Sequence, residues 1–333
     1  LEKQLKGETM KTRRIAALAV VAGLGMSLAG CSQYAMLTAR KNFKEANGLY
    51  SAQEYERAAS AYEETLVDPA ALEAAPELAV AYFYLANSYD NLYRPTRRGE
   101  PANDDLLVKA VENYRLASER IVDNPDMQRL SLEYLVASYG ADKLNDPGQA
   151  EPIVRRMIEL NPDEVSNYIA LSRLYEDSGQ YDAAEEILVN ARSVRPDDPA
   201  IYLQMAAYFN RQGDFEQTMV ALEERAGIEP DNPEAYYTIA TYRWEKAFRD
   251  FQITDEEKEQ HVADGLVAID RALELKDDYH EAMVYKNILL RMQANATTDQ
   301  AEQDALIAQA DELRDRAEEL RLEQQAVAAP SGG

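Results

Sequence analysis

Residues 163–196 read DEVSNYIALSRLYEDSGQYDAAEEILVNARSVRP, and residues 197–230 continue without a break as DDPAIYLQMAAYFNRQGDFEQTMVALEERAGIEP. Laid one above the other, the two stretches repeat with a period of 34. Tyr168, Tyr202 and Tyr236 share one phase, and Ser172, Ala206 and Ala240 a second. Ala150, Ala184 and Thr218 share a third, and Pro162, Pro196 and Pro230 a fourth. Gly179 and Gly213 mark a turn in successive units, each with an aromatic two residues on, Tyr181 and Phe215. A period of this length means stacked supersecondary units. Tyr168, Leu171, Ser172 and Tyr175, then Ala184, Leu188 and Ala191, recur at helical spacing, so each unit reads as two helices joined near the glycine. The small residues at the second phase let the two helices approach closely. Asp198 before Pro199 and Asn232 before Pro233 are N-cap-plus-N1 pairs that restart the helix after each unit. One such hairpin cannot bury its own apolar face, so neighbours must stack.

The aromatic, small, Gly, aromatic, Ala and Pro phases of this period resemble the tetratricopeptide (TPR) repeat. The resemblance implies an all-α, right-handed TPR superhelix of about six to seven helical hairpins over residues 39–295, capped by a C-terminal helix. It is strongest over 163–240. Flanking units are weaker: Ala46, Tyr55, Ala58 and Tyr62 make a first. Tyr82, Leu85, Ala86 and Tyr89 with Ala110, Tyr114 and Ala117 make a second. Leu132, Leu135, Val136, Tyr139, Ala150 and Met157 make a third, with two extra residues in its turn. Tyr236, Ile239 and Ala240 pair with Gly265, Ile269 and Ala272, and a degenerate unit begins near His280 with Met283 and Tyr285. The capping segment, 296–325, carries one narrow apolar stripe, Leu306, Ala310, Leu313, Ala317 and Leu320, and Thr297 with Gln300 is expected to form its capping box. Residues 326–333 read as a disordered tail.

The chain's one cysteine stands at the end of Leu28-Ala29-Gly30-Cys31. Met10 precedes Lys11, Arg13 and Arg14, then an apolar run from Ile15 to Leu28, the layout of a secretory signal. The run is shorter than the roughly 20 apolar residues a membrane span needs. Residues 1–9 read as an upstream extension, 10–30 as a signal peptide and 31–38 as a tether. The tetrapeptide resembles the lipobox of bacterial lipoproteins. That resemblance implies acylation of Cys31, cleavage before it, and anchoring by two or three acyl chains. Ser32, rather than Asp, after the cysteine implies the outer membrane, with the body facing the periplasm. Without a second cysteine no intramolecular disulfide is available.

The chain carries 60 Asp+Glu against 35 Lys+Arg, a formal charge of −25. The residues before Cys31 are net basic, so the remainder of the chain is more acidic still. Such a surface repels nucleic acid and anionic lipid headgroups, and no nucleic-acid partner is expected.

Two units break the period. Ala86 to Ala110 is longer than the spacing in the core units and contains Arg94, Arg97 and Arg98. This loop is either a contact for an acidic or glycan partner, or a set of arginines pairing with the protein's own carboxylates. Ala240 to Gly265 is also long. Trp244, Ala247, Phe248 and Phe251 continue its apolar pattern, and Thr254 with Glu257 reads as a capping box, so a lengthened helical hairpin is expected there.

No catalytic constellation is found. His261 and His280 fall on different helices, outside any zinc-binding spacing. Cys31 is consumed by the anchor, and no phosphate loop or GxSxG occurs. Carboxylate pairs such as Glu185-Glu186 read as solvated helix faces. No cofactor, metal or enzymatic activity is expected. What remains is a surface. In the TPR register the first helix of each hairpin (helix A) lines the groove. The row it implies is Phe43 and Asn47, Phe83 and Asn87, Glu133 and Ala137, Ile169 and Arg173, Leu203 and Ala207, then Tyr237, Thr241 and Trp244. Trp244 is weighed between packing and ligand contact. Phe43 stands where chaperone-type TPRs carry a clamp lysine, so that subtype is disfavoured. The resulting expectation is a lipid-anchored scaffold or adaptor that binds a protein or peptide partner in the cell envelope. A glycan-binding accessory using the Arg94–Arg98 loop, and a spacer without a groove ligand, stay open as alternatives. So do the partner's identity, the envelope pathway and the oligomeric state.

Overall fold

The structure, a computed structural model, describes residues 32–328. The helices are α1 (32–51), α2 (Tyr55–Leu66), α3 (Pro69–Ala74), α4 (Val80–Leu92), α5 (Pro101–Arg120), α6 (Pro125–Ser138), α7 (Pro147–Leu160), α8 (Val165–Asp177), α9 (Tyr181–Val194), α10 (Pro199–Gln212), α11 (Phe215–Ile228), α12 (Pro233–Arg249), α13 (Asp255–Leu275), α14 (His280–Ala296) and α15 (Gln300–Ala328). No strand occurs among the described residues, and no helix there is long and apolar enough to cross a membrane. The signal segment, Cys31 and residues 329–333 lie outside the described residues. The fold divides into two compact units, one ending at Pro162 and the other beginning at Asp163.

In the first unit the hairpins are α1/α2, α4/α5 and α6/α7. Ala46, Ala58, Ala86, Ala110 and Ala117 are fully buried where helices cross, and the rings of Tyr62 and Tyr114 fill the space between hairpins. Three features depart from expectation. Helix α1 begins at residue 32, so the segment expected to be a tether is already helical. Helix α3 and a 3₁₀ turn, Pro76–Ala79, fill a stretch that the repeat leaves unassigned. Their Ala71, Ala75 and Leu78 pack on Ala39 of α1, and Arg40 closes the contact on Glu77 at 2.5 Å. The long insert after Ala86 is mostly helix, because Pro101 starts α5 well before Ala110 and leaves a loop of 93–100.

The second unit contains α8/α9, α10/α11, α12/α13 and α14/α15. The periodic small positions do what their size predicts: Ser172, Ala206, Ala240, Ala184 and Thr218 are all fully buried. Ser172 Oγ donates to Ala184 O across the hairpin at 3.0 Å. The periodic tyrosines tie each unit to its preceding proline, Tyr202 OH to Pro196 O at 2.8 Å and Tyr236 OH to Pro230 O at 3.3 Å. Gly179 and Gly213 adopt φ of +73° and +80°, the left-handed conformation that ends α8 and α10 and turns the chain into α9 and α11.

Helix starts obey local chemistry. Asp198 accepts from Ala200 N and Asn232 from Glu234 N, each before a proline at N1. The same device opens α6 at Asn124-Pro125 and α7 at Asp146-Pro147. The Thr254/Glu257 capping box is present and opens a 21-residue α13, giving the lengthened hairpin. Gly265 inside α13 lets α14 come close; a Cβ there would lie 3.2 Å from Leu289 Cδ1. The expected box at Thr297 and Gln300 is corrected: Asp299 accepts from Ala301 N and Glu302 N, while Thr297 Oγ1 donates to Glu302 Oε2. An Asp side chain one residue before the helix reaches those free N–H groups, whereas Thr297 sits too far back. Helix α15 packs along α14 as the second helix of that hairpin and continues past residue 325 to Ala328.

Candidate functional site

Helix α12 carries Tyr237, Thr241, Trp244 and Phe248 at spacings of four, three and four, which place them on one face. The start of α14 faces them. Tyr237 lies 5.2 Å from the ring of Tyr279 and 5.4 Å from that of Tyr285. Trp244 stands edge-on to Tyr285 at 5.3 Å and stacks on Phe248 at 5.5 Å with 10° between planes. The result is a continuous aromatic row, Tyr279–Tyr237–Tyr285–Trp244–Phe248. Its members are half-buried except Phe248, which is 58% exposed. Burial, then the neighbouring Tyr285 and Tyr279, pushes the Tyr237 hydroxyl up to about 12. The Trp244 Nε1–H is buried without an acceptor among the described residues. Thr241 Oγ1 donates to Thr238 O at 2.7 Å, so its hydroxyl is engaged within the helix.

Two other first helices of the second unit, α8 and α10, carry further residues of the expected row. Leu203 of α10 is 38% exposed. Arg173 of α8 is exposed and bridges to α10 through Gln204 Oε1 at 2.9 Å, and Ile169 is half-buried. The structure therefore places Ile169, Arg173, Leu203, Tyr237, Thr241 and Trp244 on first helices, with solvent access. Tyr279, Tyr285 and Phe248 stand outside the row expected from the sequence. The i, i+4, i+7, i+11 spacing along α12 is the signal that marks Phe248.

In the first unit the expected row needs correction. Phe83 is only 5% exposed, held between the rings of Tyr84, Tyr114 and Tyr134 at 5.4–5.8 Å. Asn87 is 7% exposed and forms a hub rather than a ligand contact. Its Oδ1 accepts from Tyr50 OH at 2.6 Å and from Asn91 Nδ2 at 2.7 Å, and its Nδ2 donates to Tyr114 OH at 3.1 Å. Asn47 accepts from Tyr62 OH at 2.7 Å, and Phe43 is half-buried against the same ring. The cause is the tyrosine content of these hairpins: each buried phenol needs a partner, and the amides supply it. The network runs on from Tyr114 OH to Asp90 Oδ2 at 3.4 Å, and Lys143 Nζ donates to both Asp90 oxygens at 2.6 and 2.7 Å. Burial, then the Asp90 charge, holds the Tyr114 hydroxyl far above the ordinary tyrosine range.

The three loop arginines are exposed, and all bond to the protein itself. Arg94 Nη1 donates to Asn91 O at 2.6 Å, Arg97 forks onto Glu100 Oε2 at 2.5 and 2.9 Å, and Arg98 Nη2 reaches Leu144 O at 3.3 Å. Of the two histidines, His261 faces Phe215 and approaches Arg243 Nη1 at 3.2 Å; burial, then Arg243 and Lys246, depress its basicity. No group of three or more His, Cys, Asp and Glu side chains is placed to hold a metal among the described residues.

Comparison with known proteins bears on the fold. A tetratricopeptide repeat family model matches residues 143–207. No curated protein matches the chain. Among solved structures, the C-terminal part of a TPR repeat-containing protein from Cytophaga hutchinsonii superposes with a TM-score of 0.51 at 14% identity, over 84% of this chain and 98% of that one. A tetratricopeptide repeat protein from Parabacteroides merdae gives a TM-score of 0.42 at 12% identity, over 82% and 99%. YrrB, described as a TPR protein with an unusual peptide-binding site, gives 0.36 at 20% identity, over 59% and 89%. The chain contains tetratricopeptide repeats, and its fold is the all-α repeat fold.

Proposed function

We propose that this TPR-containing chain is a non-catalytic adaptor of the bacterial cell envelope. In this reading acylated Cys31 holds it to a membrane, the outer membrane facing the periplasm, and the first-helix face of its second unit binds a protein or peptide partner. One observation carries the binding half: the row from Tyr279 to Phe248 is a solvent-accessible aromatic face built by α12 and the start of α14. A contiguous apolar face of this kind marks an interaction surface. Aromatic side chains supply large contact area at low conformational cost. An extended or helical segment with apolar anchors fits it. The anchoring half is supported by the lipobox-like tetrapeptide alone. Of the loop arginines, Arg97 pairs with Glu100, while Arg94 and Arg98 bond to main-chain carbonyls.

The test is crosslinking and pull-down from envelope extract with wild type and a Leu203→Ser/Phe248→Ser double variant. Both residues are exposed, so the variant keeps the core intact. Loss of one protein partner from the variant is the expected result; equal recovery of every partner removes the reading. For the anchor, wild type should take up palmitate label and Cys31→Ser should not. A labelled Cys31→Ser variant, or one that still fractionates with membranes, overturns it.

A further inference from the structure

Both loop irregularities of the first unit converge on one cleft. The 93–100 insert contributes Tyr93 and Pro95, and the lengthened turn 139–146 contributes Lys143. Arg98 ties the two loops together through Leu144 O at 3.3 Å. In repeat proteins, insertions gather on one face, which is often the face that binds. The cleft measures about 420 Å³, within the roughly 300–1,000 Å³ of small-molecule sites. Its aromatic walls are Tyr50, Tyr55 and Tyr134, and its floor is Asn87, Asp90 and Asn91. Tyr50 and Tyr55 meet edge to face at 5.6 Å and form a corner.

The chemistry of the cleft narrows the ligand. Lys143 Nζ sits on both Asp90 oxygens, so the charges at the floor cancel. A charged ligand entering there meets a desolvation cost and, with Lys143 and Asp90 already paired, the lack of a free counter-charge. A neutral ligand meets neither. The floor offers hydrogen bonds of both kinds. An ammonium has three N–H donors and two are engaged on Asp90, leaving one. Asn91 Nδ2 is spent on Asn87 O and Asn87 Oδ1, leaving the side-chain oxygen, Asn91 Oδ1, as an acceptor. An uncharged ring with hydroxyls on its rim and C–H bonds on its faces satisfies both the floor and the tyrosine walls. We propose that this cleft is a saccharide-binding site for one or two rings of a neutral oligosaccharide. It is independent of the peptide-binding face, which lies in the second unit.

The experiment is titration calorimetry of the purified full chain with triacetylchitotriose, cellotriose and maltotriose, supported by saturation-transfer NMR. At least one of the three should bind with a dissociation constant of roughly 10 mM or tighter. Tyr55→Ala and Asn91→Ala should each weaken that binding by about tenfold or more, whereas Phe248→Ser in the second unit should leave it unchanged. Circular dichroism checks that both cleft variants stay folded, and Tyr55→Phe, which keeps the ring, should retain most of the affinity. Absence of binding by all three sugars overturns the proposal. So does binding that both cleft variants preserve, or a peptide that displaces the bound sugar by occupying Tyr55 and Asn91 itself.

Discussion

Lys143→Met should destabilise the protein by about 2–4 kcal/mol, and the loss should come from the carboxylate it strands. Removing one partner of a fully buried ion pair costs about 3–5 kcal/mol, because the other charge stays buried without compensation. The Lys143 and Asp90 side chains keep 18% and 11% of their exposure, so some water reaches the stranded carboxylate, which lowers the effect to about 2–4 kcal/mol. Asp90 would retain only the Tyr114 hydroxyl at 3.4 Å, a long contact and a weak replacement for bonds of 2.6 and 2.7 Å. Methionine keeps the apolar stem, so packing loss contributes little. The decisive comparison is the double variant Asp90→Asn/Lys143→Met, which removes both charges. If stranding is the mechanism, the double variant should recover at least half the loss, with a coupling energy of roughly 2 kcal/mol. Urea denaturation monitored by circular dichroism measures the series. Hydrogen exchange of α4 and of the 139–146 turn supplies a local readout, since repeat arrays need not unfold in one step. A single-variant loss below about 0.5 kcal/mol, or a double variant as unstable as the sum of the singles, rules stranding out.

Thr254→Ala removes the Oγ1 that accepts from Glu257 N, leaves the backbone half of the box in place, and should cost about 1 kcal/mol, visible as faster exchange in the first turn of α13. Gly213→Ala meets no atom within 4 Å but must hold a φ of +80°, so a loss of about 1 kcal/mol in a denaturation midpoint is expected from backbone strain alone. His261 should make stability pH-dependent. Its folded-state basicity is depressed below the ordinary 6.5 by burial, Arg243 and Lys246, outweighing Asp264 and Glu257. The folded protein therefore binds fewer protons there than the unfolded chain, and this stability is full above about pH 6.5 and lost as pH falls through the folded value. Urea midpoints should drop between about pH 7.5 and 5.5 in wild type and less in His261→Gln; equal drops would show that another group is responsible.

Much of the second unit is legible in the sequence because its information is local and periodic. Ser172, Ala206 and Ala240 repeat in phase, and the structure buries all of them completely. Asp198, Asn232 and Thr254 announce helix starts through bonds that span two or three residues. The first unit is less legible because its decisive contacts are long-range. Nothing near Lys143 in the chain indicates that it will sit on Asp90, and nothing near Phe83 indicates that Tyr134 will cover it. The repeat register places Phe83 and Asn87 on the groove side. Tyr50 and Tyr114 then close over that position and turn a surface phase into core. Helix α3 falls outside the period altogether, so periodicity carries no signal for it. The aromatic row of α12 lies between these extremes: its spacing is local, but its pairing with Tyr279 and Tyr285 depends on how α12 and α14 pack.

A protein partner held on the first-helix face of the second unit should be caught there by site-specific photocrosslinking in cells. The probe, p-benzoylphenylalanine, is placed at Leu203, at Phe248 and, as a control on a second helix, at Val220. All three are exposed, so the probe should be tolerated at each. Leu203 and Phe248 should yield the same protein adduct, and Val220 none of it. No adduct from the first-helix positions, or the same adduct from Val220, contradicts a partner-binding face.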